Sequence, residues 1–395
     1  MFNNGIDFLK EARSIKDEIV RNRRYFHQNP ELSFEEFNTS NKVVEYLNSL
    51  GIENKVICGT GVVGIIHGNG QGPVLALRSD LDALPLEDRK DKEYASKVKG
   101  KMHACGHDGH ISILMAVAKL LNNHKDKFKG TVKLIFEPAE ETIGGAQFLI
   151  KEGVLENPKV DAIVGLHVSE LLDSGTIGMK YGVVNAASNP FKIKVIGKGG
   201  HGAHPEDCVD PLVVGCNIVN TLQTIVSREL SPHNPAVITI GKFIGGTAPN
   251  IIPEEVLLEG VIRTITKEDR EYAKKRLLDL CNGVASAMRV KVDVEIFDGY
   301  PCLYNEDNMV LSGERVAKEV IGEENVFTNI PPSMGVESFA FFSEKVPALF
   351  YFLGTRNISK GINNPAHGSL FDIDEEGLVY GAALQSAIAF DYLNR

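Results

Sequence analysis

Several features that would indicate whole classes of protein are missing from this sequence. No run of residues approaches the eighteen or so apolar residues that a membrane-spanning helix needs. No block of Lys and Arg stands out, and the formal net charge is -10, which argues against a nucleic-acid partner because phosphate binding needs a basic face. With 43% hydrophobic and 24% charged residues, the composition instead predicts a soluble globular protein able to bury a sizeable core.

Several catalytic and covalent signatures are also missing. The sequence has no G-x-S-x-G, no P-loop and no G-x-G-x-x-G after a strand, so acyl-serine, phosphoryl and hydride chemistry lack support. The six cysteines are scattered without the spacing of a disulfide framework, which favours reduced thiols. The first residues mix acids and bases and lack the apolar core of a signal peptide. We therefore expect a cytoplasmic protein.

The densest group of reactive side chains is MHACGHDGH at residues 102–110, with a thiol, three imidazoles and a carboxylate. Cys105 and His107 are one residue apart, so in an extended segment both can close on one metal ion. Helical spacing of apolar residues over 111–121 predicts that the cluster lies on a loop opening a helix. A single buried His or Cys is most often a core residue. A whole cluster favours a metal site, because each unpaired buried polar group costs about 1–3 kcal/mol.

The rest of the sequence alternates β-rich runs with helical periodicity. Helices are predicted over 5–28 and from a capping box, SFEE at 33–36, to Gly51. Strands are predicted at 62–66, 74–77, 131–136 and 162–166. This alternation predicts an α/β fold with a mostly parallel sheet flanked by helices. Ligands bind at the carboxyl ends of strands in such sheets, and these ends carry Asp80, Asp82, Glu140, Glu141 and His167.

From about residue 187 the pattern changes to strand, helix, strand, strand, helix, strand. This βαββαβ order predicts a ferredoxin-like sandwich of a four-stranded antiparallel sheet and two helices. Because the α/β pattern resumes after Pro301, we predict a catalytic domain over 1–186 and 298–395 with an inserted domain over 187–297. The insert leaves sheet edges unpaired, and pairing across a two-fold axis would cover one, so we expect a homodimer or a higher oligomer.

Adjacent carboxylates, Glu140 and Glu141, follow the strand predicted at 131–136. A plain surface turn would also explain them, but their position after a buried strand favours function. If Glu141 binds a metal, Glu140 is free to take a proton from water whose pKa zinc lowers to about 7. The candidate ligands exceed what one ion with an open position takes; they are Cys105, His107, Glu141, His167 and His367. Five ligands indicate two ions that share one ligand, and such a pair of ions is suited to amide hydrolysis.

Ten motifs run in order along nearly the whole chain: RRYFHQNPELSFEE, LRSDLDALP, MHACGHDGH, FEPAEE, GLHV, GKGGHGAHP, GGTAPNIIPE, EGVIRT, FLGT and NPAHG. Together they resemble the two-metal aminoacylase and carboxypeptidase family. The resemblance is to its branch of hippurate hydrolases, N-acyl-amino-acid amidohydrolases, auxin-conjugate hydrolases and N-acetyldiaminopimelate deacetylases. It implies a zinc-exopeptidase-like catalytic domain and two divalent ions per subunit, drawn from zinc, manganese, cobalt or nickel.

The resemblance implies roles for single positions in the catalytic domain. Cys105 would replace the bridging aspartate of more distant relatives. His107 and His167 would complete one ion, and Glu141 and His367 the other. Glu140 would be the catalytic base. Asp82 would be an acid that orients a ligand.

In the inserted domain the resemblance implies a lid and dimer surface. His201 would reach the partner subunit's active site, and Asn250 with Arg263 would hold the α-carboxylate of the substrate. The family commonly has Asp where this chain has Asn189 and Ser338; neither is a ligand, so hinge geometry and pocket detail are affected rather than activity. Direct or structural roles stay open for His103, His110 and His204. Ordinary surface or helix-end positions are predicted for His27, His67, His124 and His233.

These features imply a metal-dependent amidohydrolase that cleaves an N-acyl-L-amino acid, of acetyl or benzoyl type, to a carboxylate and a free amino acid. Two alternatives keep the chemistry and change the substrate: an N-acetyldiaminopimelate deacetylase, or a metallocarboxypeptidase acting on short peptides. A more remote alternative is a metal-binding relative without catalysis. Glu140 argues against that alternative because binding alone needs no base beside the ligand.

Overall fold

A computed structural model describes residues 5–395 of the chain. The chain divides into two compact units. Unit 1 runs to Val184 and resumes over Tyr304–Pro331 and Glu337–Arg395. Unit 2 comprises Asn185–Leu303 and Pro332–Val336. None of the helices in residues 5–395 has the length and apolar character that crossing a bilayer requires.

The helices and strands of the described residues are numbered in chain order. The helices are α1 Phe8–Ser14, α2 Lys16–Gln28, α3 Phe37–Ser49, α4 His107–Asn123, α5 Glu140–Ile143, α6 Gly145–Lys151, α7 Pro211–Thr224, α8 Lys267–Met288, α9 Asp307–Ile321, α10 Ala340–Ser343 and α11 Glu376–Leu393. The strands are β1 Glu53–Ile57, β2 Gly61–His67, β3 Val74–Asp80, β4 Thr131–Glu137, β5 Ala162–Asp173, β6 Ile177–Gly178, β7 Gly182–Asn185, β8 Ala187–Ile196, β9 Gly200–His201, β10 Ala236–Gly245, β11 Ile251–Ile252, β12 Glu255–Thr264, β13 Lys291–Ile296, β14 Leu303–Asn305, β15 Val326–Phe327 and β16 Ala348–Arg356.

Unit 1 is built on an eight-stranded sheet in the order β1-β2-β4-β3-β5-β16-β6-β15. The central pairs β3–β4, β3–β5 and β5–β16 are parallel. Every residue of β3 and β4 is buried, as expected for parallel strands covered on both faces. Helices α4 and α11 are almost entirely buried and pack together in the same core. The predicted mostly parallel α/β sheet is confirmed.

Unit 2 contains a four-stranded antiparallel sheet in the order β10-β12-β8-β13. Along the chain the elements follow the order β8, α7, β10, β12, α8, β13. Both helices pack on the sheet through a separate apolar core that includes Ile193, Leu258 and Leu277. The predicted βαββαβ fold class is confirmed.

Three local predictions are wrong. The helix predicted over 5–28 is two helices, because α1 has its own N-cap, the Asp7 side chain, and ends at Ser14 with Ile15 as its C-cap. The predicted capping box does not form: α3 begins at Phe37, and the Ser33 hydroxyl donates to Asp82 Oδ2 at 2.6 Å instead. A tertiary partner therefore replaces the local one. The helix after the reactive cluster begins at His107 rather than near residue 111.

Candidate metal centre and active site

The reactive side chains of unit 1 come from segments at the carboxyl ends of its central strands. β3 ends at Asp80, two residues before Asp82. β4 ends at Glu137, and the short helix α5 follows with Glu140 and Glu141. β5 is the exception, because it runs to Asp173 and not to the predicted residue 166, so His167 lies within the strand and not after its end. The parallel order of these strands brings the ends to one edge of the sheet, as the sequence predicts.

The metal-ligand motif bends sharply between Cys105 and His107. Gly106 has a φ of 86°, a left-handed conformation that favours glycine. A Cβ at this position would lie 2.3 Å from Val168 Cγ2. Gly106 therefore allows the thiol and the imidazole to face the same space while α4 starts at His107.

All five predicted metal ligands lie together in unit 1. Cys105 Sγ is 3.3 Å from His167 Nε2, and Glu141 Oε1 is 3.8 Å from His107 Nε2 and 3.5 Å from His367 Nε2. The described residues contain four groups whose donor atoms lie within 4.8 Å of one another, and two of these groups are Asp80 with His107 and His110, and His107 with Glu140 and Glu141. The other two consist of predicted ligands alone: Cys105 with His107 and His167, and Cys105 with Glu141 and His367. Cys105 belongs to both of these. This is the arrangement that a ligand shared by two ions requires.

Whether metal ions fit this cluster can be judged from its buried atoms that lack a hydrogen-bond partner. Within residues 5–395, the buried atoms His107 Nε2 and Glu141 Oε1 have no hydrogen-bond partner. Leaving such atoms unpaired costs about 1–3 kcal/mol each. Ligand atoms around a tetrahedral zinc ion with bonds of about 2.0–2.3 Å lie roughly 3.3–3.8 Å apart. This matches the two pairs predicted to share an ion, Cys105 with His167 at 3.3 Å and Glu141 with His367 at 3.5 Å. The donor set of thiolate, imidazole and carboxylate fits a pair of divalent ions.

Hydrogen bonds on the far side of each ring orient the imidazole ligands. His107 Nδ1 lies 2.9 Å from the carbonyl oxygen of Asp82, and His167 Nδ1 lies 2.7 Å from that of Val168. A carbonyl only accepts, so each Nδ1 must donate and each Nε2 keeps its lone pair for a metal. The Asp82 carboxylate also accepts from the Glu141 N–H at 3.0 Å.

Glu140 lies beside the cluster and is 8% exposed. The Ser338 N–H donates to its Oε1 at 3.0 Å, which orients the carboxylate. Burial raises the pKa of the Glu140 carboxyl well above its ordinary value, and Glu337 and Glu141 raise it further. A carboxylate with a raised pKa is a stronger general base.

Sequence reasoning missed a buried ion cluster behind Glu140. The fully buried guanidinium of Arg78 lies 2.6 Å from Glu137, 2.9 Å from Asp80 and 3.0 Å from Glu337. Arg78 directly follows four apolar residues of β3, and a charge placed after such a run is the signal that could have indicated it. The distant Glu337 carried no comparable signal.

The histidines left open by the sequence differ in their surroundings. His110 accepts from the Val168 N–H at Nε2, 2.9 Å away, so its Nδ1 donates to Asp80 Oδ1 at 2.6 Å. Both ring nitrogens are used, and His110 holds the strand of His167 rather than a metal. His103 is buried, and His204 is exposed beside Glu206.

His27 was predicted to be an ordinary surface or helix-end residue; it does lie in the last turn of α2, but it is not at the surface. The side chain is fully buried, with Nδ1 2.7 Å from Asp108 and Nε2 3.2 Å from Asp88. Arg23, one turn earlier in α2, donates to the same Asp108 carboxylate at 2.8 Å. A helical pattern that ends in polar residues does not reveal that distant carboxylates cover them.

The predicted lid residues all lie in unit 2. His201 in β9 pairs with Ile251 in β11, and the Gly202 N–H donates to the Asn250 carbonyl at 2.8 Å, so His201 and Asn250 are neighbours. Arg263 lies on β12 and donates to the Met334 carbonyl.

A helix-flanked parallel sheet, a donor set for two ions and a buried glutamate define the class of two-metal hydrolases. Residues 76–390 match Peptidase family M20/M25/M40, and the chain belongs to this family. It is 38% identical over 390 residues to thermostable carboxypeptidase 2 of Saccharolobus solfataricus, covering 98% of both chains. It is 39% identical to IAA-amino acid hydrolase ILR1-like 4 of Arabidopsis thaliana, covering 98% of this chain and 88% of that one.

A solved structure gives the same result for the fold. The Bacillus subtilis YXEP protein, described as a dinuclear metal-binding peptidase from the M20 family, superposes with a TM-score of 0.85 at 32% identity, covering 96% of this chain and 99% of that one. The resemblance found in the sequence is confirmed. The protein is a metal-dependent hydrolase of amide bonds that uses divalent metal ions.

Proposed function

We propose that the enzyme hydrolyses N-acyl-L-amino acids, of acetyl or benzoyl type, to a carboxylate and a free amino acid. The observation that carries this proposal is the buried Glu140 beside five converging ligands, which is a site for splitting an amide with water. The relative named as an IAA-amino acid hydrolase supports an acylated amino acid as the substrate class. In this proposal Arg263 and Asn250 bind the α-carboxylate of the substrate.

The side chains of unit 1 divide the work. Two divalent ions, held by the five ligands, would polarise the scissile carbonyl and acidify the attacking water. Glu140 takes the proton of that water and delivers it to the leaving amine. The Ser338 N–H keeps the Glu140 carboxylate aimed, and Asp82 keeps His107 in the tautomer that binds metal.

A carboxypeptidase acting on short peptides is the second candidate. The relative named thermostable carboxypeptidase 2 favours it, and the same chemistry would serve. A deacetylase of an acetylated diaminopimelate precursor is a third substrate for the same site. All three substrates place an amide next to a free carboxylate. The acyl side distinguishes a peptide from an N-acyl amino acid, and the amino-acid side chain distinguishes the diaminopimelate derivative.

A substrate panel tests the proposal. We expect the metal-loaded enzyme to hydrolyse N-acetyl- and N-benzoyl-L-amino acids with a larger kcat/KM than dipeptides, measured by release of free amine. The same panel with Glu140→Gln is the control for contaminating hydrolases. Preference for dipeptides would favour the carboxypeptidase, and no hydrolysis of any amide would refute the proposed function.

We further propose that unit 2 forms a homodimer surface and that His201 serves the partner's site, where it would donate to the developing oxyanion. The exposed imidazole of His201 and the open edges of the antiparallel sheet support this assignment. The free cysteines support a cytoplasmic location.

Subunit complementation tests the role of His201. A His201→Ala dimer and a Glu140→Gln dimer should each be inactive, and subunit exchange between them should restore activity. If His201 acts on the partner, a mixed dimer has one site with both defects and one intact site. Failure to regain activity after demonstrated exchange, or a monomer at assay concentration, would contradict the assignment.

A further inference from the structure

The segment ELSFEE at residues 31–36 has no part in the chemistry described above, yet it reaches into the site. The Glu36 side chain is 0% exposed. Its Oε1 accepts from the Ala139 N–H at 2.8 Å, and its Oε2 accepts from the Thr60 hydroxyl at 2.6 Å. Ala139 immediately precedes the base Glu140.

A second link between this segment and the turn at residues 139–141 runs through Asp82. The Ser33 hydroxyl donates to Asp82 Oδ2 at 2.6 Å, and that oxygen also accepts from the Glu141 N–H at 3.0 Å. Two carboxylates, one from Glu36 and one from Asp82, therefore bind N–H groups on either side of Glu140. Both carboxylates belong to segments far from the turn in sequence.

The turn at residues 139–141 needs hydrogen-bond acceptors from elsewhere because its own N-cap residue supplies none. α5 has only four residues, and its N-cap, Ala139, has no side chain able to cap it. The first N–H groups of a helix lack partners within the helix. Ala139 also has a φ of 55°, a left-handed conformation that costs a non-glycine residue about 1–3 kcal/mol. Without outside partners, this turn would relax toward an ordinary backbone conformation.

We propose that Glu36 is a positioning residue: its hydrogen bond to Ala139 fixes the strained turn that aims Glu140 and presents Glu141 to the metal ions. Ser33 assists by holding the Asp82 carboxylate on the Glu141 N–H. We call the hydrogen bonds of Glu36 with Ala139 and of Ser33 with Asp82 the brace. Its role in catalysis rests on the proposed function, whereas its effect on the backbone of residues 139–141 does not. Glu36 itself contacts no ligand atom in the described residues.

Replacement of Glu36 by Ala and by Gln tests the hydrogen bond. Glu36→Ala should lower kcat by about 10–10²-fold, because a shift of about 1 Å at a catalytic group can cost 10²-fold. KM should stay within about threefold, since Glu36 does not face substrate. Glu36→Gln should stay near wild type, because the amide oxygen still accepts from Ala139 and the amide nitrogen can donate to Thr60.

Asp161→Ala is the matched control. Asp161 Oδ2 accepts from the Val74 N–H at 2.8 Å, so it is also a carboxylate that binds a backbone N–H. Val74 begins β3, and the candidate site lies at the other end of this strand, beyond Asp80. It should lower the melting temperature without lowering kcat. Amide hydrogen exchange of the peptide 137–145 gives a readout independent of activity: Glu36→Ala should accelerate its exchange, and Asp161→Ala should not.

The outcomes separate the brace from the proposed function. Unchanged kcat and unchanged exchange in Glu36→Ala would overturn the brace. An equal loss of kcat in Glu36→Gln and Glu36→Ala would also overturn the brace, because the carboxylate charge and not the hydrogen bond would then be the feature that matters. If the wild-type enzyme hydrolyses no amide while Glu36→Ala still loosens the peptide 137–145, the proposed function fails and the brace stands.

Discussion

Glu140→Gln is expected to lower kcat by at least about 10²–10⁴-fold while both metal ions stay bound. The amide keeps the shape of the side chain and still accepts from the Ser338 N–H, so the turn should not move. What it loses is the ability to take a proton. Substrate should therefore bind with a KM near that of the wild type, because only an interaction used in the transition state has been removed.

The comparison with Glu141 makes this prediction specific. Glu141 Oε1 lies 3.8 Å from His107 Nε2 and 3.5 Å from His367 Nε2. Glu140 also lies within 4.8 Å of donor atoms of His107 and Glu141, but its Oε1 accepts from the Ser338 N–H. Glu141→Gln should lose metal, and Glu140→Gln should keep it, measured by elemental analysis beside steady-state kinetics. Exchanged phenotypes would show that the two roles are assigned backwards.

Cys105→Ala is expected to lower the metal content sharply from a value near two ions per chain. Cys105 belongs to both donor groups, so its removal takes a ligand from each ion rather than from one. Activity should fall with the metal content, because without bound ions the scissile carbonyl is not polarised. Metal content should be measured on gently purified protein by mass spectrometry.

Cys281→Ala provides the matched control for the thiol. Cys281 is buried in the apolar core of unit 2. Its loss should cost a small amount of stability and leave the metal content and kcat unchanged. Full metal content and full activity in Cys105→Ala would show that the shared-ligand role is wrong. More than one divalent metal should support turnover in the wild type, since a thiolate favours zinc-like ions and a carboxylate tolerates manganese.

The candidate metal ligands could be singled out because their chemistry is concentrated in the sequence. Cys105 and His107 stand one residue apart, and Glu141 follows a nearly continuous apolar strand that only Thr131 and Lys133 interrupt. The carboxyl ends of parallel strands meet at one edge, so the strand pattern was enough to bring distant residues together.

The supporting residues were not predictable in the same way. Arg78, Glu337 and His27 are buried charged or ionisable groups whose partners are distant in sequence. Hydrophobic periodicity predicts which face of a helix or strand is buried. It does not predict which polar side chain has a hydrogen-bond partner in the core. The capping box at Ser33 failed for the same reason, since the Ser33 hydroxyl donates to the distant Asp82 carboxylate and does not accept from a backbone N–H at the start of the helix.

Local chemistry and periodicity therefore determined, from the sequence alone, the α/β class and the βαββαβ order of the second unit, and they singled out the candidate ligands, because each depends on residues near one another or on strand order. Only the tertiary structure decided which buried atoms are satisfied by protein and which are left for metal. Hydrogen bonds such as those of Glu36 to Ala139 and His110 to Val168 join segments 58 or more positions apart. Their formation depends on distances and angles that packing sets, and no local pattern encodes these.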